Sequence, residues 1–105
     1  MKTIINLTQT PNQLVSANIT DANGDVRVAD FKLRTMPDGS LIIDIAIDGE
    51  YLVYGQRCVN NMPLLLGLNT KGNFYFTDQF GDTDPKYTGF GTQYQLIYDN
   101  EYTMD

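Results

Sequence analysis

The sequence predicts an all-β domain, a single small antiparallel β-barrel or β-sandwich of about seven strands. Three observations predict it. Turn-forming clusters recur roughly every dozen residues. The segments between them alternate apolar and polar side chains or are dense in β-branched and aromatic residues. Helix signals are confined to one stretch near Pro63–Leu66.

The turns are Ala22-Asn23-Gly24-Asp25, Met36-Pro37-Asp38-Gly39, Asp48-Gly49, Asn69-Thr70-Lys71-Gly72-Asn73 and Gly89-Phe90-Gly91. Glycine and asparagine supply the positive φ that tight hairpin turns need. Between them, Val15, Ala17 and Ile19 alternate with Ser16, Asn18 and Thr20. Val26 and Val28 alternate with Arg27, and then Phe31 and Leu33 alternate with Lys32 and Arg34. The apolar phase slips by one residue near Ala29-Asp30, which predicts a β-bulge there. Leu41 to Ile47 is a β-branched run that turns at Asp48-Gly49 into Glu50–Tyr54, the best hairpin in the chain. Asn73–Asp78 and Gln93–Tyr98 read as two further strands. Pro63-Leu64-Leu65-Leu66-Gly67-Leu68 is long enough for one helical turn at most, or for a leucine-rich covering loop.

Composition narrows the function. The 105 residues suit one domain, 1–105, in which residues 1–10 read as a possible exchangeable N-terminal strand. Hydrophobic residues make up 42% and charged residues 19%, which argues against disorder. A net charge of -6 disfavours nucleic-acid backbones and anionic membranes. The opening Met1-Lys2-Thr3-Ile4-Ile5-Asn6-Leu7 is too short and mixed for a signal peptide, and no run is long enough to span a bilayer. The chain therefore reads as cytosolic at synthesis.

The sequence predicts no enzyme. It has no histidine, so a triad or imidazole base cannot be built. Cys58 is the lone cysteine and reads as a small buried apolar residue. Asp44, Asp48 and Glu50 cluster around a hairpin and read as solvated surface acids rather than a glycosidase pair. Gly89-Phe90-Gly91-Thr92 lacks the lysine of a phosphate loop, so its glycines read as a sharp bend and a close strand approach. Asp78, Asp82 and Asp84 are weak calcium candidates, because their spacing is not that of an EF-hand and a polar loop with Asx turns explains them. No cofactor is predicted. The tyrosines Tyr51, Tyr54, Tyr75, Tyr87, Tyr94, Tyr98 and Tyr102 suit a binding face, with about half of them expected in the core. The competing reading is a carbohydrate- or calcium-binding β module.

The order of several short motifs carries a resemblance. Asp30–Arg34 is followed by Leu41–Ile47 and Asp48-Gly49, then by Gly55-Gln56-Arg57-Cys58 and Pro63-Leu64-Leu65. Gly72-Asn73-Phe74-Tyr75-Phe76 comes next, then Asp84-Pro85-Lys86-Tyr87, Phe90-Gly91 and Gln95-Leu96-Ile97-Tyr98. Over residues 11 to 99 this resembles the small baseplate plug family of contractile-tailed phages and prophages, of the cyanophage type. The resemblance implies a non-enzymatic virion structural protein in the tail baseplate, made in the host cytoplasm. It implies partners among the hub, tail-tube and other baseplate proteins, several copies per assembly, and no catalytic residues to carry over. A small domain lodged among partners needs sheet edges or apolar patches. The candidate contact regions are Thr3–Leu7, Gln79–Gly91 and Asp99–Asp105. Within them Ile4, Ile5, Phe80, Tyr87, Phe90 and Tyr102 are the candidate partner-binding residues.

Overall fold

A computed structural model of the chain describes residues 2–65 and 72–102. Seven strands run in chain order: β1 (Lys2–Ile5), β2 (Asn12–Thr20), β3 (Val26–Thr35), β4 (Leu41–Ile47), β5 (Glu50–Arg57), β6 (Asn73–Asp78) and β7 (Tyr94–Asp99). They form two antiparallel sheets, one of order β2-β3-β4-β5 and one of order β1-β7-β6. Among the described residues the sheets stay separate, so the architecture is a sandwich rather than a closed barrel. β2 to β5 are sequential hairpins, and β1 reaches β7 across the length of the chain.

The alternation of the strands places one set of side chains between the sheets. Ile19, Phe31, Leu33, Ile43 and Ile45 face inward from the larger sheet, and Ile5, Phe74, Phe76, Leu96 and Tyr98 from the smaller, all in one core cluster. The sheets meet where Phe31 of β3 packs edge-on against Phe74 of β6, with ring centroids 5.3 Å apart at 78°. Tyr98 packs against Phe74 at 4.7 Å, and Phe90 stacks on Phe76 at 5.9 Å. Cys58, 2% exposed, belongs to the same core, and burial pushes its thiol pKa up.

The predicted bulge near Ala29-Asp30 is absent. β3 pairs in unbroken register with both neighbours, from Thr20↔Val26 to Asn12↔Arg34 and from Ala29↔Ile47 to Thr35↔Leu41. The apolar phase slips because Val26 and Val28 lie on the outer face, 69% and 45% exposed, while Ala29, Phe31 and Leu33 point inward. The irregularities fall instead in β5. Its pairing with β4 shifts between Ile43 and Ile45 and again between Ile45 and Ala46. At the first shift Gly55 has φ +59°, a conformation costly for other residues. Its N–H donates to Asp44 Oδ1 at 2.6 Å. The hairpin turn itself is as predicted, with positive φ at both Asp48 (52°) and Gly49 (84°).

The one short helical turn among the described residues is a 3₁₀ turn at Tyr87–Gly89; of the stretch Pro63–Leu66 where the sequence predicts one, Pro63 to Leu65 are described. Pro63 to Leu65 are non-helical because their backbone serves the edge of β6. Leu64 N–H donates to Phe74 O at 2.8 Å and Leu65 N–H to Asn73 Oδ1 at 2.8 Å. Leu66 to Leu68, and most of the predicted turn Asn69–Asn73, lie outside the described residues. Gly89 confirms the close approach read from its motif, since a Cβ there would sit 2.6 Å from Tyr94 Cδ2. Replacing Phe74, 0% exposed and touching both Phe31 and Tyr98, tests the seam between the sheets. Phe74→Ala should cost about 3–5 kcal/mol in urea unfolding; a loss below ~1 kcal/mol would show that the sheets are held elsewhere.

Candidate partner interface

The outer face of the smaller sheet carries an apolar row. Ile4, Ile97 and Tyr75 stand side by side across β1, β7 and β6, because Ile4 pairs with Ile97 and Ile97 with Tyr75. Strand alternation puts these three on the face opposite Ile5, Leu96 and Phe76. Ile4 is 55% exposed and Ile97 only 9%. Tyr102 continues the row, its ring 5.9 Å from that of Tyr75 at 38°. Two isoleucines and two tyrosines thus share one surface.

At the end of this sheet, Asp78 organises the loop that follows β6. Its carboxylate accepts from Phe80 N–H (2.9 Å), Thr83 N–H (3.0 Å), Thr83 Oγ1 (2.6 Å) and Gln93 Nε2 (3.2 Å). Thr83 Oγ1, whose one hydrogen is directed at Asp78, accepts from the Tyr94 hydroxyl at 2.7 Å. These bonds, the Thr83 hydroxyl first, lower the Asp78 pKa to about 2. The loop so fixed presents Phe80 with 80% of its surface exposed. The oxygens of Asp78 are committed to protein donors, and Asp84 Oδ1 accepts from Asn60 N–H at 3.2 Å. Asp82 is exposed. The three acids do not converge, and among the described residues no group of three or more metal-ligating side chains forms.

The six candidate contact residues therefore part company. Ile4 and Phe80 are open to a partner, and Tyr87 and Tyr102 are half-buried. Tyr87 packs against the core. Ile5 (3% exposed) and Phe90 (2%) are core residues and offer no side-chain surface. Their backbones lie in the candidate regions, but strand parity turns Ile5 inward and Phe90 stacks on Phe76. The tail beyond Tyr102 lies outside the described residues.

A second aromatic surface lies on the outer face of the larger sheet. Tyr51 and Tyr54 stack at 4.8 Å and 23°, 48% and 73% exposed. Residues three apart on a regular strand point to opposite faces; the register shifts of β5 bring these two together. Beside them Asp44, 8% exposed, holds the bulge through Gly55 N–H and pairs with Arg34 Nη2 at 3.2 Å. Asp48 accepts from Val28 N–H (3.0 Å) and from Arg27 Nη1 (3.1 Å). Of the three acids read as solvated surface residues, Asp44 is buried, whereas Asp48, its side chain 45% exposed, and Glu50 lie at the surface. The stacked pair shares a face because Leu52, between them, is the extra residue of the second register shift, and no residue type in the sequence marks that position. Tyr94 and Tyr98, by contrast, are buried at 6% and 4%.

The family model described as cyanophage baseplate Pam3 plug gp18 matches residues 1–101 of the chain. No curated protein matches it.

The Asp78 node makes a pH prediction. A carboxyl with a lowered folded-state pKa adds stability that is complete above its unfolded value and lost as pH falls through the folded one. The melting temperature should therefore drop as pH falls from the ordinary 3.8 toward about 2. Asp78→Asn should melt lower at neutral pH and lose less over that window. Thermal melts followed by circular dichroism check this, and equal acid sensitivity in the two proteins would refute it.

Proposed function

The chain belongs to the cyanophage baseplate plug family, and on that premise we propose that it is a non-enzymatic part of the virion, held in the tail baseplate by contacts with the hub and tail tube. The observation that carries the reading is the outer-face row in which exposed Ile4 and half-buried Tyr75 and Tyr102 surround the buried Ile97, an apolar and aromatic surface on an acidic protein. Such a surface gains by being covered. Phe80, lifted by the Asp78 loop, supplies a separate apolar contact. Burial of these groups needs shape and register, and no proton transfer. No helix among the described residues is long and apolar enough to cross a membrane, and a net charge of -6 argues against nucleic acid as the partner.

The proposal extends to the first ten residues as a segment able to exchange between chains within one domain, 1–105. β1 has four residues, lies at a sheet edge and pairs with β7. Four strand residues separate more readily than nine. Exchange would carry Ile5 with it into a neighbour's core, so Ile5 serves packing in either arrangement. Several copies in one baseplate would place such neighbours within reach.

Ile4→Asp and Phe80→Ser change exposed side chains and should leave the melting temperature within about 2 °C of wild type. Each should lower the amount of the protein in purified virions at least about tenfold, the effect of losing one ~1.4 kcal/mol contact. Quantitative mass spectrometry of complemented particles measures this. Wild-type incorporation of both variants would overturn the assignment of the surface.

A further inference from the structure

We propose that β2 is a self-pairing edge, through which two copies of this chain join antiparallel with Ser16 on the two-fold axis. The inference starts from the four sheet edges. β1 is four residues long and carries Lys2. β5 is interrupted by two register shifts. β6 is covered by the segment before it: Asn61 N–H donates to Phe76 O and Leu64 N–H to Phe74 O, both at 2.8 Å, while Asn60 Oδ1 accepts from Asp78 N–H at 2.9 Å. Short length, charge, bulges and cover are the devices that keep an edge from pairing. β2 has none of them. Its nine residues, Asn-Gln-Leu-Val-Ser-Ala-Asn-Ile-Thr, hold no charge and no proline, and their register with β3 is unbroken.

The backbone polarity of β2 follows from its neighbour. Asp48 N–H donates to Val28 O at 2.8 Å, so the backbone of Val28 faces β4. Alternate residues of an antiparallel strand bond to opposite sides. Arg27, Ala29, Phe31 and Leu33 therefore face β2, where Ile19, Ala17, Val15 and Gln13 meet them. The backbone groups of Leu14, Ser16 and Asn18 point away from the sheet, with no partner among the described residues. Pro11, without an N–H, ends the strand on one side, and Asn100 Nδ2 takes the carbonyl of Thr20 at 3.1 Å on the other. The free stretch is centred on Ser16. An antiparallel copy in that register sets Leu14 against Asn18 of the second copy and Ser16 against Ser16. The six N–H and C=O groups of Leu14, Ser16 and Asn18 are then used in each copy.

Charge selects the second copy as occupant. Arg27 pairs with Asp21, Asp25 and Asp48 at the end of the sheet where β2 finishes, and Glu50, opposite Ile47, lies at the same end, a balance of -3. The end where β2 begins carries Lys32 and Arg34 beside Asp44 and Arg57 near Asp38, a balance of +1, and Asp30 lies level with Ser16, between the two ends. Antiparallel pairing sets the acidic end of one copy beside the basic end of the other and brings no like charges directly opposite along the ladder. Parallel addition would align like ends.

Sedimentation equilibrium of the purified chain up to about 1 mM tests the proposal without reference to the baseplate. The expected mass is twice the 11.8 kDa of the chain. Leu14→Lys with Asn18→Lys places lysines on the exposed outer face and opposite one another across the pair; this variant should be monomeric with an unchanged circular-dichroism spectrum. Leu14→Glu with Asn18→Glu should likewise be monomeric, and an equimolar mixture of the two should recover the dimer. A monomeric wild-type chain, meaning that any occupant of the edge is a different protein, would overturn the proposal. So would a lysine variant that dimerises as wild type does, or a mixture that fails to pair.

Discussion

The contact of Phe31 with Phe74 is the point on which the two sheets depend. Four strands and three strands do not share a hydrogen-bond ladder here, so their mutual position is set mainly by side-chain packing, with Asn100 Nδ2 donating to Thr20 O at 3.1 Å at one end. An edge-to-face aromatic pair is directional as well as apolar. Tyr98 on the far side of Phe74 and the Phe90–Phe76 stack extend it along β6 and β7. Everything on the outer faces inherits its orientation from this seam. Once Phe74 and Phe76 point inward, Tyr75 must point outward, and Ile97 and Ile4 line up with it.

Much of this was legible in the residues themselves. The strands Leu41–Ile47 and Asn73–Asp78 have the bounds that β-branched and aromatic density predicts, and Asp48-Gly49 makes the turn its chemistry calls for. Two local readings failed for an instructive reason. Periodicity treats every apolar residue as inward-facing, so exposed Val26 and Val28 imitated a bulge. The true bulges in β5 carry no break in apolar phase, because Tyr51 and Tyr54 are amphipathic and sit well on an open face. Gly55 was the available sign, and it reads as a turn as easily as a bulge.

The candidate surface was legible to the level of segments and not of side chains. The N-terminal strand and the loop after β6 do carry exposed apolar groups. Which residue of Ile4 and Ile5 is exposed depends on the pairing of β1 with β7, a contact between opposite ends of the chain that no local pattern encodes. Phe80 and Phe90 differ likewise. One is raised by an aspartate whose carboxylate is bonded wholly within the segment between β6 and β7, and the other is drawn inward by Phe76. Asp44 illustrates the same limit, since its burial follows from a glycine eleven positions later in the chain.

The bulged, irregular edge of β5 sets the valence of the larger sheet. A sheet with two open edges can add units without end, as fibrous aggregates do. Here β2 can accept one strand, while the opposite margin, broken at Leu52 and at Gly55, cannot template the next. Growth through this sheet stops after a single addition. A protein with one such edge can be made at high concentration before its partners arrive and remain a discrete particle rather than a filament.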